Sequence, residues 1–176
     1  MFSPQVEWLP PEEFKDLSSY DEIAIDLETK DPDLKAMGSG SVTGKGRIVG
    51  IALAVTDWSA YYPIAHEGGG NMDEKKVMDY FRTILKNDAR KIFHNAMYDV
   101  CFIRAAGMQI CGEIVDTMIA GSLVDENRFR YDLGSMGRDY LGKGKNEAIL
   151  TETAKEWGVD AKSEMYKLPA MYVGEY

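Results

Sequence analysis

The sequence predicts an α/β domain in which helices pack against the faces of a mixed sheet. Strand-like segments come first, the hydrophobic period then changes from two to about 3.6 residues, and the last third is helical and punctuated by glycine. A chain of 176 residues that is 45% hydrophobic suits one domain with a single core. We therefore expect residues 1–176 to form one domain.

The strand signals lie mainly in the first half of the chain. Glu22–Leu27 alternates polar and apolar residues, and Ile48–Val55 is almost entirely apolar, as in a strand covered on both faces. Ala60–Ile64 can pair back as a hairpin partner, and Lys91–Phe93 has the pattern of a short strand. Between the first two strands, Lys30–Arg47 is rich in Gly, Ser and charge, which predicts a long exposed loop.

The helices are predicted from periodicity and end signals. Asn71 and Glu74 are spaced like a capping box before an amphipathic segment. A second helix is expected over Ala96–Ala106, with Asn95 as its N-cap and Gly107 as its stop.

Two further helices are predicted in the second half of the chain. Ile114–Val115 leads into a helix over Thr117–Val124. Another helix begins near Leu133 and ends at Gly142.

Composition excludes several classes of function. The net charge of −9 argues against a broad basic surface for polyanions. Cys101 and Cys111 have no CxxC or metal-ligand spacing, which argues against a zinc site and favours a reducing compartment. No apolar run approaches the roughly 20 residues that span a bilayer, and the N-terminus has no signal-peptide pattern, so we expect a cytoplasmic protein that does not enter a membrane.

The first chemical signal is the pair of carboxylates at the end of the first strand. Asp26 and Glu28 are two residues apart, so their side chains project from the same face of a strand. Two carboxylates that share one position repel each other unless a cation lies between them. The pair is compatible with a metal site, with a proton-sharing dyad or with a solvated strand end.

A third carboxylate favours the metal site. Asp99 lies in the first turn of the predicted helix that follows Lys91–Phe93, where it could face the strand end that carries Asp26 and Glu28. Oxygen ligands without His or Cys suit Mg²⁺ or Mn²⁺, which act on phosphate substrates and often work as a pair.

These residues resemble the DEDD 3′–5′ exonucleases of the ribonuclease H-like (DnaQ-like) fold, and among them the proofreading domain of family A, polymerase I-like DNA polymerases of bacteria or phage. The resemblance covers the chain from about Asp21 to its end. The matching segments, in chain order, are Ala24–Thr29 (AIDLET), Asn95–Asp99 (NAMYD), the Asp116–Thr117 pair and Leu141–Lys145 (LGKGK).

The third motif of that family is Tyr-x-x-x-Asp on a helix, as in its tyrosine (DEDDy) branch. Val173–Tyr176 (VGEY) resembles the start of this motif, with Tyr176 as the tyrosine. Its aspartate would follow four residues later. We therefore expect residues 1–176 to be a single exonuclease-like domain, apparently truncated before the end of the third motif.

The resemblance implies a mechanism that uses two Mg²⁺ or Mn²⁺ ions. Asp26 would bridge both ions, Glu28 would bind the ion that activates water, and Asp99 would hold the other ion, largely through its water ligands. Tyr176 would orient the attacking water. In this interpretation His66 and His94 have no catalytic role.

The substrate implied by the resemblance is a single-stranded DNA 3′ end, and the implied partner is a C-terminal polymerase domain. The candidate substrate-binding residues are Leu27, Thr29, Asn95, Tyr98 and Tyr131. Lys45, Lys143 and Lys145 are either solvated loop lysines or contacts to the strand backbone. A catalytically incomplete nucleic-acid-binding module and an RNA-trimming exoribonuclease remain as alternatives.

Overall fold

The computed structural model describes residues 6–176. Within this range a single five-stranded sheet has the order β3-β2-β1-β4-β5. The strands are β1 (Glu22–Lys30), β2 (Arg47–Val55), β3 (Trp58–Pro63), β4 (Arg90–Phe93) and β5 (Ile114–Asp116). The predicted strands are therefore confirmed, with small changes at their ends.

Helices follow or connect these strands, and a 3-10 turn precedes the last helix. The α-helices are α1 (Leu34–Met37), α2 (Gly40–Thr43), α3 (Glu74–Lys86), α4 (Ala96–Ala105), α5 (Thr117–Val124), α6 (Leu133–Leu141), α7 (Ala148–Trp157) and α8 (Ala170–Gly174). The α/β class predicted from the sequence is thereby confirmed.

The central strand β1 carries the carboxylate pair. It pairs antiparallel with β2 and parallel with β4. The β4 pairing reaches only Ala24 on β1, so the second half of β1 extends past the end of β4. Helix α4 begins in the space beyond that end, which places its first turn beside residues 26–28.

Alternate side chains of β1 point to opposite faces of the sheet, so the core residues and the two carboxylates lie on different faces. Ile23, Ile25 and Leu27 are buried in the main hydrophobic core on one face of the sheet. Asp26 and Glu28 project to the other face, where Tyr61 and residues of α7 and α8 form a second, smaller cluster. The cavity described below lies on this second face.

Three local expectations need correction. The segment 30–47 is not one exposed loop, because it contains α1 and α2 and because Asp31 is buried, where it accepts hydrogen bonds from the Gly40 N–H. Helix α3 has Asp73 as its N-cap, and the Asn71 side chain instead bonds the backbone of His66. Asn95 lies at the start of α4 but has a left-handed φ of 68° and makes no side-chain capping bond.

Candidate active site

A cavity of about 740 Å³ opens between the second face of the sheet and the C-terminal segment. Asp26 and Glu28 line it from β1, and Tyr61 lines it from β3. Lys145 from the α6–α7 loop and Tyr176 from the end of the chain complete the polar wall. The structure thus brings together three of the four predicted catalytic residues in one cavity.

The protein environment disfavours the charged forms of Asp26 and Glu28. Desolvation, together with the charges of Asp26 and Asp99, raises the pKa of Glu28 to about 8. Desolvation also raises the pKa of Asp26, although the positive charges of Lys145 and His94 act in the opposite direction. A nearby cation would relieve this electrostatic cost.

Asp99 lies behind the pair, in the protein interior. Its side chain is only 3% exposed, and its Oδ1 accepts a hydrogen bond of 3.2 Å from the N–H of Leu27, the residue between Asp26 and Glu28. Burial and the charge of Asp26 raise the pKa of Asp99 to about 7. Asp99 therefore contributes to the same electrostatic site, from the α4 side of β1.

The donor set suits a hard divalent cation but is incomplete. Carboxylate oxygens are the ligands that Mg²⁺ and Mn²⁺ prefer. Burial raises the pKa values of Glu28 and Asp99, so a bound cation would stabilise their charged forms. However, no three His, Cys, Asp or Glu side chains of residues 6–176 are grouped closely enough to hold a metal ion by themselves. Asp26, Glu28 and Asp99 as metal ligands therefore stay a prediction, in which Asp99, whose Oδ1 accepts from the Leu27 N–H, would act largely through water ligands of the ion.

Tyr176 contacts Lys145, which the sequence analysis treats as either a solvated loop lysine or a contact to the strand backbone. The Lys145 ammonium donates a hydrogen bond to the Tyr176 hydroxyl and lies 4.8 Å from the centroid of its ring. This contact joins the α6–α7 loop to the C-terminal residue at the mouth of the acidic cavity.

A second buried pair supports the floor of the cavity. The Tyr61 hydroxyl and His66 Nε2 are hydrogen bonded at 2.5 Å, and His66 is only 3% exposed. Burial lowers the pKa of His66 to about 4, so the ring is neutral near pH 7. Glu28 is paired in register with Gly50, and a Cβ built on Gly50 would lie 1.9 Å from the Tyr61 hydroxyl. The Tyr61 ring therefore occupies the space beside Glu28 that glycine leaves free.

Several expected substrate-binding side chains are used elsewhere. Leu27 is buried in the main core, because alternation along β1 turns it away from the cavity. The Tyr98 hydroxyl bonds both Thr29 Oγ1, at 2.8 Å, and Asp31 Oδ2, at 3.0 Å. Thr29 and Tyr98 thus tie the end of β1 to α4.

Asn95 and Tyr131 also lie outside the set that lines the cavity. The Asn95 N–H donates to Asp116 Oδ1, and the Tyr131 hydroxyl donates to the Asp125 carbonyl in the α5–α6 connection. Their expected contacts with substrate remain predictions without support from these positions.

The Asp-Thr pair has a positioning role that its sequence pattern did not specify. Asp116 accepts hydrogen bonds from the N–H groups of Ala96 and Met118, and so joins the beginnings of α4 and α5. Thr117 bonds His94 Nδ1 at 2.9 Å. Both His94 and Thr117 line the cavity.

The mixed sheet and its flanking helices form a ribonuclease H-like fold. Structures with the same fold include Brucella melitensis NrnC with bound Mg²⁺, with a TM-score of 0.55 and 16% identity over 90% of this chain and 85% of that one. Escherichia coli RNase D, described as an exoribonuclease involved in structured RNA processing, has a TM-score of 0.54 and 15% identity over 89% of this chain and 37% of that one.

Residues 9–170 match the 3′–5′ exonuclease family of the A-type DNA polymerases, and the chain belongs to this family. A DNA-directed DNA polymerase of Pseudomonas phage M6 is 34% identical over 178 aligned residues, which cover 97% of this chain and 27% of that protein. The chain thus spans about a quarter of the length of this relative.

Among the helices within residues 6–176, none is both long enough and apolar enough to cross a bilayer.

Proposed function

We propose that this chain is the proofreading exonuclease domain of a DNA polymerase, and that it hydrolyses phosphodiester bonds at single-stranded DNA 3′ ends with two Mg²⁺ or Mn²⁺ ions. The observation that carries the proposal is the meeting of Asp26, Glu28 and Tyr176 in one cavity at the end of the central strand. Membership of the exonuclease family and the phage polymerase relative support it.

In this proposal the carboxylates of the site supply negative charge for the ions, and the tyrosine orients the water. Asp26 and Glu28 would hold the ions at the cavity wall, and Asp99 would add its charge from the α4 side. Bound divalent ions supply a hydroxide near neutral pH and stabilise negative charge on the phosphate and the leaving 3′ oxygen. The Tyr176 hydroxyl, which lies in the same cavity, would orient the attacking water.

DNA is preferred over RNA as the substrate because the 34% identical relative is named a DNA polymerase. The likeness to RNase D is one of fold, so an RNA-trimming activity is the second candidate. A polymerase domain elsewhere in the full protein would bind the duplex, which would explain how a domain with a net charge of −9 acts on DNA. Such a protein would act in the cytoplasm of a bacterium, including one infected by phage.

The fourth carboxylate of the site would come from a Tyr-x-x-x-Asp helix that starts at Tyr176. Neither of two other candidates within the chain is free to replace it. Asp132 caps α6 and bonds Ser135, and Asp139 forms an ion pair of 2.6 Å with Arg128.

The proposal is tested with 5′-labelled single-stranded DNA and RNA of the same sequence. A chain extended through the Tyr-x-x-x-Asp helix should shorten DNA from its 3′ end when Mn²⁺ is present, and Asp26→Ala should abolish this activity. Faster shortening of the RNA would favour the exoribonuclease. Tight binding without shortening of either strand would favour a non-catalytic module.

A further inference from the structure

Lys145 has no role in the mechanism above, yet its ammonium group lies at the acidic cavity. The α6–α7 loop that carries it is exposed, and the Lys145 stem passes α6 at Gly134, where a built Cβ would lie 3.9 Å from Lys145 Cγ. The side chain then ends at the hydroxyl of Tyr176.

The lysine faces the carboxylates without pairing with them. The positive charge of Lys145 favours the charged forms of Asp26 and Glu28, and so it partly offsets the effect of burial on their pKa values. Nevertheless, Lys145 has no ion pair within 4.0 Å in the part of the chain that the structure describes. Its specific contacts are the hydroxyl and the ring of Tyr176.

The direction of this hydrogen bond follows from its chemistry. An ammonium group can only donate, so the Tyr176 oxygen accepts from Lys145. The single hydroxyl hydrogen of Tyr176 is then available to another acceptor. Tyr176 lines the same cavity as Asp26 and Glu28, so an acceptor bound in that cavity lies on its open side.

We propose that Lys145 is a positioning residue of the nuclease site, which holds the Tyr176 oxygen as an acceptor and thereby directs the Tyr176 O–H into the acidic cavity. The inference rests on the proposed exonuclease function, because the group that accepts the hydrogen bond from the Tyr176 O–H is then the attacking water. Without Lys145, the hydroxyl can rotate and accept from that water instead of donating to it.

The first test measures the contact itself in the 176-residue chain without metal. Melting temperatures are compared for the parent, Lys145→Met, Tyr176→Phe and the double variant in EDTA. If the two side chains are bonded, the double variant should lose less stability than the sum of the single losses. Strictly additive losses would overturn the inference, whatever the fate of the proposed function.

The second test measures Mn²⁺ binding to the same chain. Lys145→Met should tighten Mn²⁺ binding about 3–10-fold, because it removes a positive charge from the field of Asp26 and Glu28. The matched control is Lys143→Met, on the same exposed loop, and it should leave Mn²⁺ binding unchanged. Equal effects of the two variants would place Lys145 among ordinary loop lysines and contradict the inference.

The third test separates positioning from direct contact with the substrate, in the chain extended through the Tyr-x-x-x-Asp helix. Lys145→Met should lower kcat about 10–100-fold with little change in KM, as for other groups that orient a ligand of a metal site. Lys145→Arg, which still donates, should recover most of the rate. In the Tyr176→Phe background, Lys145→Met should add less than about a threefold loss.

Additive rate losses, or a loss confined to KM, would mean that Lys145 binds the phosphate independently of Tyr176, and the inference would be wrong. If the extended parent itself fails to shorten DNA and RNA, the proposed function fails. In that case the melting and Mn²⁺ experiments still decide whether Lys145 holds Tyr176 beside the acidic pair.

Discussion

Asp99 on α4 accepts a hydrogen bond from the backbone N–H of Leu27 on β1, at 3.2 Å, across 72 residues of sequence. The bonded amide lies between the two carboxylates that face the cavity. Asp99 therefore both anchors α4 to the central strand and adds its charge to that of Asp26.

Substitutions at Asp99 should separate these two roles. Asp99→Asn keeps an oxygen for the Leu27 amide and removes the repulsion with Asp26, so its metal-free melting temperature should equal or exceed that of the parent. Asp99→Ala leaves a buried N–H without a partner and should cost about 1–3 kcal/mol. Denaturant unfolding in EDTA measures both effects. Equal destabilisation by Asn and Ala would contradict the anchoring role.

Mn²⁺ should stabilise the parent chain, because burial disfavours the charged form of Glu28 and a bound cation would relieve that cost. At about 100 times the dissociation constant, the gain is about 2.7 kcal/mol, or roughly 5–10 °C for a domain of this size. Asp26→Asn should lose most of this gain. Asp88→Asn changes an exposed carboxylate that does not line the cavity. This control variant should keep the stabilisation by Mn²⁺. A parent that melts identically with and without Mn²⁺ would exclude the metal site.

The raised pKa of Glu28 predicts a pH dependence for the metal-free protein. The folded chain holds this proton up to about pH 8, whereas the unfolded chain releases it near the ordinary value of about 4.3. Stability from this group is therefore fully present at low pH and is lost as the pH rises toward and through 8. The glutamine side chain of Glu28→Gln cannot lose a proton. The melting temperature of this variant should therefore rise relative to that of the parent as the pH goes from 5 to 8.5.

The control for this pH experiment is Glu156→Gln, an exposed substitution of the same kind on α7. Its difference from the parent should stay constant across the same pH range. Saturating Mn²⁺ should reverse the order of the parent and Glu28→Gln at pH 8, since the ionised carboxylate then has a cation. A pH-independent difference between Glu28→Gln and the parent would show that Glu28 is not desolvated in the native state.

Gly50→Ala should destabilise the floor of the cavity. The added methyl group would lie 1.9 Å from the Tyr61 hydroxyl, which is itself fixed by His66. Overpacking of this kind costs about 1–3 kcal/mol. Gly134→Ala in α6, where the nearest atom to a built Cβ is 3.4 Å away, is the matched control and should be close to neutral. Chemical denaturation of both variants tests this, and equal stabilities would show that Tyr61 moves freely.

Extension of the chain should change its activity more than its fold. The 176-residue form should be a poor nuclease, because it lacks the aspartate of the proposed Tyr-x-x-x-Asp helix, and the loss of even an outer-sphere group typically costs about 10–100-fold. The extended form should regain Mn²⁺-dependent shortening of single-stranded DNA. If both forms shorten DNA at equal rates, then either Tyr176 does not begin that motif or another carboxylate completes the site.

Local sequence patterns predicted the parts of the site that depend on one element. The alternation of β1 was enough to place Asp26 and Glu28 on one face, because the strand period of two does not depend on the rest of the fold. The α/β class and the bounds of α5 and α6 were predicted for the same reason, since periodicity and terminal glycines act within a few residues. Alternation also places the Leu27 side chain in the main core, so its contact with substrate stays a prediction.

The tertiary structure decided which distant side chains meet. The contacts between Lys145 and Tyr176 and between Asp99 and Leu27 join residues that are 31 and 72 positions apart, and no local period encodes them. Asn95 has the residue type of an N-cap, but its backbone is held in a left-handed conformation and its N–H is bonded to Asp116. The sequence by itself determined the strand face and the kinds of ligand at this site. The packing of α4 and of the C-terminal segment on that face decided how they are positioned, because those contacts exist only once the sheet has formed.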